Sequence, residues 1–177
     1  PQVYAMEELR WGVTTLVTDP HEIANVAGEE GIRFMLDASA GLPVNYYVQV
    51  PSCVPSTPFE HAGAVLTADR LKPFLEEPRV LGLGEMMNYP GVTACDPEVL
   101  GKLELFSGRV IDGHAPGSSG KGLQAYRAAG ILTDHESTSY AEALEKLRAG
   151  MAVLVREGSA SKNLRDILTG VLRDRVC

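Results

Sequence analysis

Short apolar runs alternate with amphipathic segments about six times along this chain of 177 residues. The runs are predicted as buried strands, at residues 12–18, 44–50, 79–84, 109–112, 131–133 and 151–155. Helical spacing of apolar residues predicts helices in the segments between them and after the last run. Strands that alternate with helices favour a parallel sheet with right-handed crossovers. The pattern therefore predicts the α/β class, with about six parallel βα units.

Two parallel architectures fit this alternation. An open doubly wound sheet usually carries a glycine-rich phosphate loop after its first strand, and no Gly-x-Gly-x-x-Gly follows the first run. A complete eight-stranded barrel needs about 250 residues, so six units would make most of one. Polar residues concentrate where the predicted strands end, which favours the barrel. We therefore predict a partial TIM-like (β/α)8 barrel.

Three of the predicted strands end alike, at a side chain able to bind a metal. These side chains are Glu85, His114 and His135, and Gly82 and Gly84 beside the glutamate allow a close backbone approach. A parallel barrel places its strand ends around one mouth, so the three groups should converge although they lie tens of residues apart. One carboxylate and two imidazoles suit a hard-to-borderline metal, and metal-assisted hydrolysis is the chemistry that such a site favours.

Other polar residues near the strand ends are less specific. His21 and Glu22 follow the first strand and are predicted to face the same mouth, although a satisfied polar turn fits them as well. Asp112 and Asp134 each lie close to a histidine, where they could orient the site. Direct pairing with that histidine is not assured, because neighbouring side chains on a strand face opposite ways. Arg156 either faces the mouth or forms a structural ion pair with a neighbouring acid.

Two further residues are predicted to be structural. Cys53 lies in a proline-rich connection and has no base partner in the sequence, so a small buried thiol is favoured over a nucleophile. His61 lies in a polar loop and is predicted to be solvated or structural.

Composition excludes several classes of function. The net charge of -7 argues against binding of a nucleic-acid backbone. No apolar stretch approaches the roughly 20 residues of a membrane span, and the first ten residues lack the pattern of a signal peptide. The three cysteines have no paired spacing, which favours reduced thiols and a cytoplasmic location.

Several motifs in order resemble the adenine deaminase family of the amidohydrolase superfamily. They are residues 12–15 (GVTT), 19–25 (DPHEIAN), 51–55 (PSCVP), 82–88 (GLGEMMN), 112–116 (DGHAP), 134–136 (DHE) and 156–159 (REGS). The resemblance implies a metal-dependent barrel enzyme that converts adenine and water to hypoxanthine and ammonia. It also implies a binuclear centre, commonly manganese or iron with zinc as an alternative, whose hydroxide attacks C6 of the purine.

The resemblance also implies roles for individual residues. Glu85 would bridge the two metals and take part in catalysis, while His114 and His135 would bind one of the metals. Glu136 would be a second catalytic residue, and the predicted substrate contacts are made by His21 and Glu22. The expected partner is a small purine base, with no nucleic acid and no membrane.

The chain departs from the family pattern at both ends. It lacks the His-x-His pair of the first barrel strand and the aspartate of the last strand. The expectation is therefore that residues 1–177 are one catalytic-barrel portion of a longer amidohydrolase, without the first and last strands and the flanking β-rich regions. Two alternatives stay open: another cyclic amidine or amide hydrolase of the superfamily, or a non-catalytic metal-binding fragment. Such a fragment could form a homo-oligomer by pairing its open barrel edges.

Overall fold

The computed structural model describes residues 1–57 and 59–176. In chain order the elements are α1 (Gln2–Arg10), β1 (Thr15–Thr18), α2 (His21–Ala27), α3 (Glu29–Ala38), β2 (Asn45–Val50), α4 (Ala68–Leu71), a 3-10 helix (Lys72–Glu76), β3 (Val80–Met86), α5 (Tyr89–Thr93), α6 (Pro97–Leu105), β4 (Val110–Gly113), α7 (Gly120–Ala128), β5 (Thr133–Asp134), α8 (Tyr140–Arg148), β6 (Ala152–Val153) and α9 (Leu164–Asp174). Within the described ranges, no helix combines the length and apolarity needed to cross a membrane.

Every strand pair in these elements is parallel. The strands β1 to β4 form one sheet in sequential order, curled into half a barrel, and β5 pairs with β6 in a second, smaller sheet. The two sheets meet where the Leu132 N–H donates to the Ile111 carbonyl oxygen over 3.3 Å. Because helices separate consecutive strands, the arrangement is that of a partial TIM-like barrel, and the predicted fold class is confirmed.

All six predicted strands are present, although β1, β5 and β6 are shorter than predicted, and β1 begins at Thr15 rather than at residue 12. β5 and β6 each hold two residues in a regular ladder. Their pairing continues as single hydrogen bonds, from the Ala152 N–H to the Leu132 oxygen and from the Leu154 N–H to the Asp134 oxygen. An apolar run therefore located these strands but overestimated their length, since the length depends on how far the neighbouring strand remains in register.

Local capping signals explain several helix boundaries. The helical segment after β1 divides into α2 and α3 at Gly28, whose φ of +60° favours glycine. Asp96 caps α6 by accepting from the Glu98 and Val99 N–H groups, and Ser139 caps α8 by accepting from the Glu142 N–H. The Glu142 carboxylate accepts from the N–H of Thr138, one residue before Ser139, and not from the Ser139 N–H as it would in a capping box.

The core lies between the larger sheet and its helices. Alternate strand residues such as Val48, Val50 and Leu83 are fully buried there. They pack in one cluster with apolar helix residues, among which Phe106 and Leu123 are also fully buried. This packing fixes the strands, and therefore fixes where their carboxyl ends lie.

The edges of the two sheets stay open within the described residues. Val17 on β1 is 52% exposed, and Leu154 beyond β6 is equally exposed. Exposed apolar edges favour association, so the homo-oligomer through open barrel edges stays a prediction that sedimentation can test.

Gly82 leaves no room for a side chain between β3 and β4. A Cβ atom there would lie 1.9 Å from the Val110 carbonyl oxygen, which belongs to the paired strand. We expect Gly82→Ala to lower the free energy of unfolding by about 3 kcal/mol, because a backbone clash can be relieved only by separating the strands. Urea unfolding with Gly158→Ala as the control measures this, since a Cβ at Gly158 meets nothing within 4 Å. Equal unfolding midpoints for the two variants would contradict the expectation.

Candidate metal centre

Three side chains from three successive strand ends converge on one point. Glu85 lies on β3, His114 follows β4, and His135 follows β5. One Glu85 oxygen, Oε2, lies 2.7 Å from Nδ1 of His114 and 2.9 Å from Nε2 of His135. The two imidazole rings pack edge to face, with their centroids 5.6 Å apart. The structure thus brings together the three residues that the sequence singled out, as parallel strand ends require.

The other oxygen of Glu85 faces a second group of polar side chains. Its Oε1 lies 3.2 Å from Nδ1 of His21, at the start of α2. Oδ1 of Asp19 lies 3.6 Å from the same nitrogen, while its Oδ2 accepts from the Glu85 N–H over 2.9 Å. This close approach depends on Gly84, because a Cβ there would come within 2.1 Å of Asp19 Oδ2.

Both groups have the composition and spacing of metal sites. The ligand atoms of Glu85, His114 and His135 lie within 4.8 Å of one another, and the same holds for those of Asp19, His21 and Glu85. Two buried atoms in the second group, Oδ1 of Asp19 and Nδ1 of His21, have no hydrogen-bond partner. Unsatisfied buried polar atoms are rare and costly, and a cation would satisfy both. These side chains therefore fit divalent metal ions.

A carboxylate from the neighbouring strand orients His135. Oδ2 of Asp112 lies 3.2 Å from its Nδ1, and the Asp112 carboxylate is itself fixed by the Thr133 hydroxyl and by the Gly113 N–H. This leaves Nε2 of His135 aimed at Glu85. A histidine whose second nitrogen contacts a carboxylate is the usual arrangement at metal sites. Asp112 therefore acts on the histidine one strand further along the chain.

The remaining predicted site residues lie around this centre. Glu136 is held by an ion pair with Arg156, and its Oε1 lies 3.8 Å from Nε2 of His135. Arg156 thus forms the ion pair that the sequence offered as one alternative. Glu22 is 82% exposed, and its Oε1 lies 3.5 Å from Nε2 of His21. Glu136 therefore lies beside the centre, whereas Glu22 lies on its solvent side.

Opposite charges shift the pKa values of Glu85, His135 and His21. Burial raises the pKa of Glu85, but hydrogen bonds from His114 and His135 outweigh it and hold that pKa far below its usual range. Contact with Asp112, then with Glu85, raises the pKa of His135 to about 10. Contact with Asp19 raises the pKa of His21 to about 9. Without a metal, the imidazoles of His21 and His135 are therefore protonated at neutral pH.

A cleft of about 500 Å³ opens beside His114. Met87, Tyr89 and Pro116 line it together with Ser118 and Ser119. Met86, by contrast, is fully buried in the core, so only one of the two adjacent methionines lines this space. The size and lining are those of a small-molecule site.

Comparison with known proteins places this centre in a family. Residues 1–169 match the model of the amidohydrolase family. The chain belongs to that family. An amidohydrolase is expected to bind a divalent metal, and the two ligand groups around Glu85 fit that expectation.

Three curated relatives of this amidohydrolase chain are adenine deaminases. The chain is 56% identical to "Adenine deaminase 2" of Carboxydothermus hydrogenoformans, over 98% of this chain and 30% of that protein. It is 53% identical to an adenine deaminase of Desulfitobacterium hafniense, over 92% of this chain and 29% of that protein. It is 58% identical to an adenine deaminase of Cereibacter sphaeroides, over 93% and 29% respectively. The chain thus spans less than a third of the length of these relatives.

Sequence reasoning missed some residues that shape the amidohydrolase centre. Asp19 was assigned no role of its own, although it directly follows β1 just as the histidine motifs follow their strands. The Tyr126 hydroxyl on α7 donates to the Met86 oxygen and accepts from the His114 N–H, which ties β3 to the end of β4. Ser52 donates to the Glu85 carbonyl oxygen over 2.6 Å, while neighbouring Cys53 is a buried thiol. Ser52 follows the end of β2, so its position was visible in the sequence, whereas a tyrosine on a helix has no strand-end pattern that could reveal such a role.

Proposed function

We propose that this amidohydrolase chain carries the metal centre of an adenine deaminase, which converts adenine and water to hypoxanthine and ammonia. The observation that carries the proposal is Glu85, whose two carboxylate oxygens face two separate groups of candidate ligands. The names of relatives 53–58% identical over more than nine-tenths of the chain support adenine as the substrate. Their greater length supports a longer protein of which residues 1–177 form one barrel portion.

The ligand assignment follows from the contacts. Glu85, His114 and His135 would hold one ion. The other oxygen of Glu85 would share a second ion with Asp19. Two imidazoles and a carboxylate suit manganese or iron, with zinc as the alternative. Divalent metals bound there supply Lewis acidity and a neutral-pH nucleophile from water.

The side chains around the centre would handle the substrate and its protons. Departure of ammonia requires a proton donor close to the amino group. We assign that role to Glu136, which is oriented by Arg156 and lies next to His135. His21 and Glu22, on the β1 side of the centre, are assigned to substrate binding. The cleft beside His114 would receive the flat purine.

One assay tests the reaction and its substrate. The protein at its full length, loaded with Mn²⁺, Fe²⁺ or Zn²⁺, is supplied with adenine, adenosine or hydantoin, and ammonia release is measured. We expect turnover of adenine. A preference for adenosine would reject the substrate, and cleavage of hydantoin would favour the alternative of another cyclic amidine or amide hydrolase. Metal binding without any turnover would favour the non-catalytic alternative.

The role of Glu136 has its own expected result. We expect Glu136→Gln to lower kcat for adenine by about 10² to 10⁴, the usual contribution of a general acid or base. Metal content should remain that of the wild type, because Glu136 belongs to neither group of candidate metal ligands. His61→Gln is the control, since His61 lies exposed in a loop outside the centre. Wild-type kcat in Glu136→Gln would contradict the assignment.

A further inference from the structure

A completely buried lysine lies directly behind the candidate metal centre. Lys146 on α8 is 0% exposed, and so is its partner Asp134. Its Nζ donates to Asp134 Oδ2 over 2.8 Å, to Glu142 Oε1 over 2.9 Å and to the Ser137 hydroxyl over 3.1 Å. Removing two charges from water is costly, and well-packed apolar residues often serve stability equally well. The presence of this ion cluster is therefore not explained by stability alone.

The partner of the lysine holds the segments that carry both imidazoles. Oδ1 of Asp134 accepts from the Ala115 N–H over 3.0 Å, immediately after His114. Oδ2 accepts from the Glu136 N–H over 3.2 Å, immediately after His135. A single carboxylate thus fixes the backbone next to two candidate ligands that lie on successive strand ends.

Acidic side chains of α8 hold the same two loops. Glu142 accepts from the Gly117 N–H over 2.8 Å and from the Thr138 N–H over 3.1 Å. Glu145, one turn further, accepts from the Gly120 N–H over 2.6 Å. Gly117 and Thr138 belong to the loops after β4 and after β5, and Gly120 is the first residue of α7, directly after the first of these loops. Lys146 neutralises both Asp134 and Glu142, so it holds together the carboxylates that bind these loops.

We propose that Lys146 is a positioning residue of the metal centre, acting through Asp134 and Glu142 to fix the spacing of His114 and His135. Lys146, Asp134 and Glu142 contribute no atom to either group of candidate metal ligands, so their effect on the metal is indirect. The inference rests on the metal-binding part of the proposed function and is independent of the substrate. It predicts that loss of the lysine disturbs metal geometry more than an equally destabilising change elsewhere.

The test compares two replacements of a buried or half-buried cation. Lys146→Met removes the charge, and Arg79→Met removes a cation that hydrogen-bonds Leu36 and Ser39 at the opposite end of β3. Both proteins are titrated with Co²⁺, and the affinity and the ligand-field absorption are measured on the folded fraction. We expect Lys146→Met to weaken Co²⁺ binding about 10- to 100-fold and to alter the absorption bands, as loss of indirect support does at other metal sites. Arg79→Met should leave both unchanged.

A milder variant and a metal-free readout keep the outcome decisive. Glu142→Gln removes one partner of Lys146, and we expect it to weaken Co²⁺ binding about tenfold even where Lys146→Met does not fold. In the metal-free protein, the imidazole ¹⁵N shifts of His114 and His135 should move in these variants and not in Arg79→Met. Wild-type affinity, absorption and ring shifts in a folded variant would overturn the inference. Should the wild type bind no metal, the proposed function fails, while the ring shifts still decide the role of Lys146.

Discussion

Replacing Glu85 by glutamine is expected to weaken binding of Mn²⁺ or Zn²⁺ by more than about a hundredfold. The side chain keeps its size but loses the charge that both groups of candidate ligands face. Loss of a group that only supports a ligand costs 10- to 100-fold, so loss of the shared ligand should cost more. Isothermal titration with a competing chelator measures the affinity.

A matched change separates this effect from a general loss of negative charge. Glu104→Gln alters an exposed glutamate on α6 and should leave the affinity within about threefold of the wild type. His114→Ala and His135→Ala should each weaken binding in the same direction as Glu85→Gln. Unchanged affinity in all three ligand variants would remove the proposed centre.

The metal-free protein is expected to lose stability as the pH rises from about 6.5 to about 10. His21 and His135 have pKa values raised from 6.5 to about 9 and about 10 by neighbouring carboxylates. A raised pKa in the folded state stabilises fully below the unfolded value of 6.5, and that contribution is lost as the pH rises through 9 to 10. Urea unfolding at constant ionic strength across this range measures the change.

Glu85 defines the acid side of the same profile. Its pKa is lowered from 4.5, so its contribution is present above 4.5 and is lost as the pH falls through the folded value. The centre therefore stabilises the metal-free protein most between about 4.5 and 6.5. Glu85→Gln should flatten the alkaline slope, because Glu85 helps to raise the pKa of His135. An equally steep slope in that variant would contradict this electrostatic account.

The convergence of Glu85, His114 and His135 could be predicted from the sequence because it follows from the fold. Parallel strands share the direction of their carboxyl ends, so a strand-end pattern was sufficient to group Glu85, His114 and His135. Asp19 followed the same pattern but was obscured by the proline after it. The contacts of Lys146 and Tyr126 could not be predicted, because both residues lie on helices and bond groups next to the candidate ligands rather than the centre itself. Which helix residue points inward depends on how that helix packs, and no local pattern states this.

The ends of helices and strands also depend partly on local residues and partly on contacts with distant ones. The caps of α6 and α8 were predictable, since a capping side chain binds N–H groups two or three residues away. The short helix α5 was not predicted, although Asn88 caps it and Pro90 lies in its first turn. The start of β1 and the lengths of β5 and β6 depend on partners elsewhere in the chain, and these strand boundaries were the least accurate.

Because the strands form two sheets, the candidate ligands of the centre come from both of them. Glu85 belongs to the four-stranded sheet, whereas His135 follows β5 of the two-stranded sheet, and few backbone hydrogen bonds join the sheets. Ligands on both sides of that seam would couple the two sheets whenever the centre is occupied. Occupancy would then slow amide hydrogen exchange across β5 and β6, including at backbone groups that touch no ligand atom.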